Sequence, residues 1–287
     1  MPMGDSMKMT MNKIRFFIVH CILFGLAISG GISYAKGAQD VHFVIVIPSY
    51  NNKEWFEKNL DSVFAQTYKN YSVIYIDDVS TDGTGDLVGN YIKAHGVQKS
   101  ITLIKNKKRN GALANIYHAV YTCQDRDVVV LLDGDDWLAH ENVLLRLSRE
   151  YSKKKYWLVY SQFELWPMHE IGWNSVPLPS RYEDPSYPRV YSPSHLRTFY
   201  AGLFKKIKKQ DLMYEGDFYS MTWDMAIMLP MVEMASYGHV KFIPEVLYTY
   251  NNSNPLSDHR VNETLQLKLH AIIAAKTKYK PLKKLKS

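Results

Sequence analysis

The sequence predicts an α/β protein with a mainly parallel central sheet flanked by helices. Short runs of β-branched and apolar residues, typical of strands that are buried on both faces, alternate with amphipathic stretches of helical length. The chain has 287 residues, of which 46% are hydrophobic and 22% charged, enough to bury a sizeable core. Repeated βα units of this length favour one domain with right-handed crossover connections.

The elements alternate from residue 41 onward, where a β-branched run ends at Pro48. The predicted strands lie at 41–47, 71–76, 101–104, 127–132 and 239–250, and the predicted helices at 54–66, 84–94, 110–123 and 141–151. A methionine-rich stretch has i, i+3 spacing, which favours core packing over a cofactor site. Its members are Met225, Met228, Met231 and Met234.

The N-terminus has the order of a targeting segment. Lys8, Lys13 and Arg15 precede an apolar run at 16–28, and small residues follow as far as Ala35. This order predicts a cleaved signal peptide or an uncleaved signal anchor over residues 1–35, with a buried helix or a misassigned start as further alternatives. With either targeting segment the domain is exported or membrane-anchored, in a periplasm or a secretory lumen, and without one it stays cytoplasmic.

The positive charge is concentrated at the other end of the chain. The formal net charge is +7, and residues 276–287 hold six lysines and no acidic residue. Such a tail is a solvated end or a contact with anionic lipid, and it gives no reason to expect a nucleic-acid partner. The two cysteines, Cys21 and Cys123, exclude a disulfide framework.

Polar residues follow three of the predicted strands. They are Pro48-Ser49-Tyr50-Asn51-Asn52, the segment 77–84 (DDVSTDGT) and Asp133-Gly134-Asp135-Asp136. Ligands in open α/β sheets bind outside the carboxyl ends of the strands, so these loops predict one crevice. Residues such as Ser80 and Thr81 fit equally well as turn formers or helix caps. The three carboxylates in four residues instead predict a divalent cation, because they repel one another without one.

Together these motifs resemble those of family 2 glycosyltransferases of the GT-A fold. The ordered set is Pro48 to Asn51, the segment 77–84, the segment 106–115 (NKKRNGALAN) and Asp133-Gly134-Asp135-Asp136. The resemblance covers residues 41–250. It implies a single α/β domain, a nucleotide-sugar donor and metal-dependent transfer with inversion at the sugar carbon. It also implies a donor half at 41–137 and an acceptor half at 138–252, before a flap and basic tail at 253–287.

The resemblance also implies roles for individual residues. The loop formed by Pro48, Ser49, Tyr50 and Asn51 would lie along the nucleoside. Asp77 would accept a hydrogen bond from the base, usually uracil, with Asp78 close by. Asp133 would contact the ribose or sugar and share the metal site with Asp135, which would ligate Mg²⁺ or Mn²⁺ at the diphosphate. Asp136 would either support these ligands through hydrogen bonds or serve as an alternative ligand.

Four basic or imidazole side chains are further candidates. Arg109 or Lys108 could contact the phosphates, although an exposed charged loop explains them as well. Late in the chain, His259 is a candidate metal ligand and Arg260 a candidate phosphate clamp.

An inverting transfer also needs a base for the acceptor hydroxyl. In the family this base belongs to a Glu-Asp pair that opens a helix. Here the matching segment is Trp223-Asp224, so Asp224 is the candidate base, with a helix cap as the structural alternative and Asp217 as the fallback base. The QXXRW motif of processive members is absent from the sequence, which favours single-sugar transfer.

Three functions follow from these patterns. The first is a glycosyltransferase that moves a sugar, with UDP as the expected nucleotide, to a glycan, lipid or protein acceptor. The second is a degenerate protein of the same fold that binds nucleotide or glycan, which Trp223 and the predicted export favour. The third, a nucleotidyltransferase, ranks last because residues 48–52 contain no glycine or arginine.

Overall fold

The computed structural model describes residues 41–176, 189, 193–256 and 262–285. The N-terminal segment, with its predicted signal or anchor, lies outside the described residues, as do His259 and Arg260. Among the residues described, no helix is both long and apolar enough to cross a bilayer. Residues 37–287 belong to one compact unit.

Strands and helices alternate through the first half of this unit, as the sequence predicts. The strands are β1 (Phe43–Ser49), β2 (Tyr71–Asp77), β3 (Ile101–Lys105), β4 (Val128–Leu131) and β5 (Trp137–Leu138). The helices are α1 (Phe56–Phe64), α2 (Thr84–Ala94), α3 (Ala112–Thr122) and α4 (Val143–Tyr151). Every helix predicted here is confirmed, with ends that differ by at most two residues.

The second half adds strands that the sequence analysis did not predict. Its elements are β6 (Leu158–Trp166), β7 (Glu170–Ile171), β8 (Arg197–Tyr200), α5 (Ala201–Phe204), β9 (Met213–Tyr214), β10 (Asp217–Phe218), α6 (Trp223–Met234), β11 (Val240–Asn251) and α7 (Glu263–Ala274). Only β11 among these strands was predicted.

The central sheet has the order β3-β2-β1-β4-β8-β6-β11-β5. The pairs β3-β2, β2-β1, β1-β4 and β6-β11 are parallel. Strand β8 enters antiparallel between β4 and β6, and β5 pairs antiparallel with β11. The predicted fold class, an α/β domain with a mainly parallel sheet flanked by helices, is therefore confirmed, and β8 joins its two parallel parts.

Each face of the sheet packs against helices, and alternation along β1 shows how. Val44 and Val46 belong to the cluster that contains α3, α6 and α7, while Phe43, Ile45 and Ile47 belong to the cluster with α1, α2 and α4. A strand buried on both faces reads as a continuous apolar run, which is why β1 and β4 were recognisable in the sequence. Helix α6 is almost wholly buried, and the four methionines predicted to be core residues are confirmed as such.

Candidate active site

Two adjoining cavities lie at the carboxyl ends of β1, β2 and β4. The first, about 590 Å³, contains the acidic motif, and the second, about 710 Å³, contains Asp78 and the start of α3. They share lining residues from the β1 loop, from the α3 loop and from the first turn of α6, which are Pro48, Tyr50, Arg109, Ala112 and Trp223. The three polar loops therefore meet, as the strand order requires.

The β1 loop is held by a small buried network. The Tyr75 hydroxyl donates to Ser49 Oγ at 2.8 Å, and Asn52 Nδ2 donates to the same oxygen at 3.0 Å. Gly134 of the acidic motif lies against this network, where a Cβ atom would come within 2.6 Å of Asn52 Nδ2 and 2.8 Å of Ser49. The close approach explains why glycine stands between the aspartates. It also places Ser49 beneath the acidic loop, whereas Pro48 and Tyr50 line both cavities.

Asn51 shapes the edge of the same loop. Its backbone adopts the left-handed region, with φ 54°, which Asn tolerates better than most residues. Its N–H donates to Ser80 Oγ at 2.9 Å, and its side-chain oxygen accepts from the Thr81 N–H at 2.8 Å. Asn51 therefore joins the β1 and β2 loops, which gives it a structural role whether or not it contacts a nucleoside.

The paired aspartates after β2 point in different directions. Asp78 accepts hydrogen bonds from Asn106 Nδ2 at 2.7 Å and from the backbone N–H groups of Asn110 and Gly111, so it ties the start of α3 to the cavity. Burial alone would raise the pKa of Asp78, but these hydrogen bonds outweigh it and lower the pKa. The Asp77 carboxyl instead packs beneath Gly85 of α2.

This geometry bears on the predicted contact to the nucleobase. The second cavity is lined by Asp78 but not by Asp77. The contact to the base expected for Asp77 stays a prediction, and the lining of the second cavity favours Asp78 for that contact. Arg109 lies with its Cζ 3.2 Å from the centre of the Tyr50 ring, and its Nε is 3.8 Å from Asp78 Oδ2. Arg109 therefore lines both cavities as a cation stacked on Tyr50 rather than as part of a fully solvated loop.

The acidic motif is fastened from both sides. Asn59 of α1 donates from Nδ2 to the carbonyl oxygens of Asp133 and Asp136, at 3.0 and 2.7 Å. On the other side Asp136 Oδ1 accepts from the Asn251 N–H at 2.7 Å, and Asp136 Oδ2 accepts from the Tyr248 hydroxyl. Asp136 is completely buried. Its two oxygens thus hold β11 against the motif.

The other two carboxylates of the motif are partly exposed in the first cavity. Asp135 Oδ2 accepts from Asn254 Nδ2 at 2.6 Å. Asp133 Oδ2 lies 3.3 Å from the Arg197 guanidinium. Burial raises the pKa of Asp133, although Arg197 offsets part of the rise. Burial and the neighbouring Asp133 raise the pKa of Asp135 to about 6. Burial and both neighbouring carboxylates raise the pKa of Asp136 well above its usual value. The cluster therefore favours an added cation.

Two arrangements of metal ligands fit the donors present. Ligand atoms of Asp133, Asp136 and His195 lie within 4.8 Å of one another. His195 is buried beside Arg197, and both effects lower its pKa, so its imidazole is neutral as a metal ligand must be. Its Nδ1 has no hydrogen-bond partner among the described residues. The second arrangement, Asp133 with Asp135, leaves the hydrogen bonds of Asp136 intact. We favour it for that reason, with His195 beside it.

Arg197, which the sequence analysis missed, links the motif to the candidate base. It is the first residue of β8 and is only 3% exposed. Besides Asp133, its guanidinium lies 3.6 Å from Asp224 Oδ2 and 3.4 Å from His195 Nε2. A buried arginine needs carboxylate partners, so an arginine two positions before the apolar stretch at 199–204 was the available signal.

The structure brings Asp224 to the first cavity and Asp217 to the second. Asp224 lies in the first turn of α6 and accepts from the Met225 N–H at 2.8 Å, while its other oxygen faces Arg197. Trp223, which stands where the family has Glu, packs its ring 4.9 Å from the Arg197 guanidinium. Asp217 lies on the exposed β9-β10 hairpin. Asp224 is thus the carboxylate placed beside the acidic motif.

Known proteins resemble this chain in both sequence and fold. WfaP of Escherichia coli, named as a UDP-Glc:alpha-D-GlcNAc-diphosphoundecaprenol beta-1,3-glucosyltransferase, is 37% identical over 93 residues, or 32% of this chain and 35% of WfaP. The amylovoran biosynthesis glycosyltransferase AmsB of Erwinia amylovora is 30% identical over 133 residues, or 44% of this chain and 43% of AmsB. The chain thus matches less than half the length of these relatives.

Solved structures show the same fold. Residues 1–349 of TarS from S. aureus, in complex with UDP-GlcNAc, superpose with a TM-score of 0.56 at 15% identity, over 81% of this chain and 65% of TarS 1–349. A mannosyltransferase from Pyrobaculum calidifontis, in complex with GDP-Man and Mn²⁺, gives a TM-score of 0.55 at 19% identity, over 82% of this chain and 65% of the mannosyltransferase. The sequence profile described as Glycosyl transferase family 2 matches residues 44–219, and the chain belongs to that family.

Proposed function

We propose that this protein is an inverting, metal-dependent glycosyltransferase that uses a nucleoside-diphosphate sugar, with UDP as the nucleotide. One observation carries the proposal: the acidic motif and the carboxylate of Asp224 face the same cavity, with Arg197 between them. Such an arrangement offers a site for a leaving diphosphate on one side and a base on the other. The family membership supports glycosyl transfer as the reaction class.

The second cavity is the proposed nucleoside site. Asp78 and the backbone around Asn110 supply hydrogen-bonding groups, and Tyr50 supplies an aromatic edge under Arg109. A flat base can lie between such a ring and the start of α3 while its polar edge is read by a carboxylate or amide. The UDP-GlcNAc and GDP-Man complexes named above support a nucleotide sugar as the donor.

Asp133 and Asp135 are the proposed residues for Mg²⁺ or Mn²⁺. Burial raises the pKa of both carboxylates, and the neighbouring Asp133 adds to the rise at Asp135. A divalent cation with oxygen ligands would favour the ionised form of both. When bound, the metal neutralises charge that develops on the departing diphosphate. The Mn²⁺ in the Pyrobaculum mannosyltransferase supports a metal of this kind.

Asp224 is the proposed base. The oxygen of the acceptor hydroxyl forms a bond to the anomeric carbon as the bond from that carbon to the diphosphate oxygen breaks, and the hydroxyl proton passes to the Asp224 carboxylate. Attack on the face opposite the leaving group inverts the configuration. Arg197 orients Asp224, because its guanidinium faces this carboxylate from β8, 3.6 Å from Oδ2.

The test is donor hydrolysis by the purified chain, with UDP- and GDP-sugars, in the presence of Mn²⁺ or Mg²⁺ and then with chelator. We expect nucleotide release from one donor, loss of release with chelator, and a drop of about 100-fold or more in Asp135→Ala and Asp224→Asn. Asp86→Asn is the matched control, since the Asp86 side chain is 84% exposed. Proton NMR of the sugar first released reports whether its anomeric configuration is inverted.

A degenerate binding protein is the second candidate, and Trp223 in place of Glu favours it. This candidate predicts calorimetric binding of UDP that requires metal, without nucleotide release from any donor. Full activity of Asp135→Ala, or activity that survives chelator, would contradict the metal-dependent mechanism. Release of the retained anomer would contradict inversion.

A further inference from the structure

The β6-β7 hairpin exposes a patch of apolar side chains at the edge of the domain. Met168, Ile171, Trp173 and Val176 are 53%, 63%, 65% and 68% exposed. The described residues include nine large exposed hydrophobic side chains, and these four fall within nine consecutive positions. Single exposed hydrophobic residues need no explanation, but a concentrated patch indicates a surface that contacts something apolar.

The patch stands on an ordered backbone. Gly172 donates from its N–H to the Phe163 carbonyl at 2.8 Å, and a Cβ atom there would come within 2.4 Å of the Phe163 ring. Asn174, which is buried, donates from Nδ2 to the Ser161 carbonyl at 2.7 Å and accepts from the Ser194 N–H at 2.9 Å. Because residues 172 and 174 face inward, the alternate side chains at 171 and 173 must face outward.

The patch is continuous with the first cavity. Trp173 lines that cavity together with Leu165 and Leu256, and its ring contacts the Phe163 ring edge-on with centroids 4.9 Å apart. The same cavity holds Asp133 and Asp224. An acceptor whose hydroxyl reaches Asp224 can therefore extend past Trp173 onto the hairpin.

The chemistry of the patch favours hydrocarbon over sugar. Sugar-binding surfaces combine aromatic rings with hydrogen-bonding groups, whereas Met168, Ile171 and Val176 are aliphatic and offer none. A tryptophan at the border of an aliphatic patch is typical of the interface between lipid head groups and chains. Glu170 is the one charged residue between 166 and 176, so attraction to anionic lipid is not needed for the contact.

We propose that this hairpin docks on a lipid bilayer and that the acceptor is a sugar or polyol carried by a membrane lipid. The assignment of the acceptor rests on the proposed function, because it takes the first cavity as the site of transfer. The hairpin sits at the bilayer interface, the lipid-borne hydroxyl enters past Trp173, and the nucleotide sugar enters from the side of α3. The contact differs from one made by the basic tail, which requires anionic lipid.

The test measures Trp173 itself, so that any binding of the full chain to vesicles through the apolar segment at 16–28 is not counted as docking of the hairpin. Fluorescence is recorded for the wild type and for Trp173→Phe on neutral phosphatidylcholine vesicles with plain or brominated acyl chains. The difference between the two proteins gives the Trp173 signal. We expect bromine to reduce this signal by about twofold or more, since the ring would lie at the depth of the acyl boundary.

Variants of the aliphatic neighbours show whether Trp173 is quenched because the hairpin docks or only because the protein lies near the vesicle. Ile171→Ser with Val176→Ser should abolish quenching of Trp173 while nucleotide release from the donor continues. The control Leu267→Ser, on α7 and 64% exposed in the wild type, should leave quenching unchanged. Unquenched Trp173 in a protein that hydrolyses its donor would overturn the docking proposal alone. Quenching in a protein that hydrolyses no donor would leave docking standing and remove the assigned acceptor with the proposed function.

Discussion

Replacement of Arg197 tests whether one buried guanidinium holds the two halves of the site together. Its side chain is 4% exposed and faces Asp133 at 3.3 Å and Asp224 at 3.6 Å. Each such pair carries about 4 kcal/mol of attraction at an effective dielectric constant of 20, and desolvation of the three ions cancels part of the total. Loss of the guanidinium in Arg197→Met should therefore lower the free energy of unfolding by about 3–5 kcal/mol.

Arg197→Lys separates geometry from charge. A lysine ammonium keeps the charge but cannot reproduce the planar fork that reaches both carboxylates and His195. We expect this variant to lose about 1–2 kcal/mol of stability, and we expect a kcat for nucleotide release about 10- to 100-fold lower with little change in the donor KM. The small change in KM follows because the lysine keeps a positive charge beside Asp133, whereas the loss of the planar fork leaves Asp224 poorly oriented.

The assays are urea unfolding and steady-state nucleotide release, with Arg146→Lys as the matched control. Arg146 also bridges two carboxylates, those of Glu150 at 2.8 Å and Glu245 at 2.6 Å, but it lies on α4 and lines neither cavity. Its replacement should leave kcat unchanged. A wild-type kcat in Arg197→Lys, or an Arg197→Met protein as stable as the wild type, would refute the reasoning.

Three further predictions concern the surroundings of the site. Gly134→Ala should lower the rate of donor hydrolysis and the free energy of unfolding, the latter by about 1–3 kcal/mol, because the added methyl group would clash with Asn52 and Ser49. Normal activity in a hydrolysis assay would contradict this prediction. Asp78→Asn should lower the free energy of unfolding by about 1–3 kcal/mol at pH 7. Because the pKa of Asp78 is lowered in the folded protein, the difference in stability from the wild type should close as the pH falls below about 4. Urea unfolding at several pH values measures this difference. Glu233→Ala should lower the free energy of unfolding by about 3–5 kcal/mol without a change in donor KM, since it leaves Arg189 buried without its carboxylate partner. Thermal unfolding measures the loss, and an unaltered melting temperature would contradict this prediction.

The first half of the domain was largely predictable because each of its elements except the short β5 carries a local signal. The strands β1 and β4 are continuous β-branched runs, and the polar loops follow them directly in the sequence. Parallel strands place such loops at one edge of the sheet, so the meeting of Pro48, Asp78 and Asp133 follows from the strand pattern alone. The sequence could not show that Asp77 turns beneath Gly85, since side-chain direction after a strand depends on the loop geometry.

The second half of the domain was harder to predict because its strands are defined by the strands they pair with rather than by a local sequence pattern. Strand β8 has four residues and includes a buried arginine and threonine, so no apolar run marks it. Strand β6 runs into Glu164 and then into an exposed hairpin, which breaks the alternation. Asp224 could be predicted from the family motif. Arg197 does not belong to that motif, and only the position of β8 beside β4 identifies it.

The antiparallel insertion of β8 makes the acidic motif depend on the whole domain. The register pairs Leu131, the last residue of β4, with Arg197, so the guanidinium comes to lie beside a carboxylate 64 positions earlier in the chain. Tyr248 and Asn251 of β11 hold Asp136 from the far side. A fragment that ended before β6 would keep all three aspartates and lose every one of these contacts. Asn59 would still hold the backbone of the motif. The three carboxylates would repel one another without the Arg197 cation and the donors from β11, so their side chains are held in place only when the second half of the domain is folded against the first.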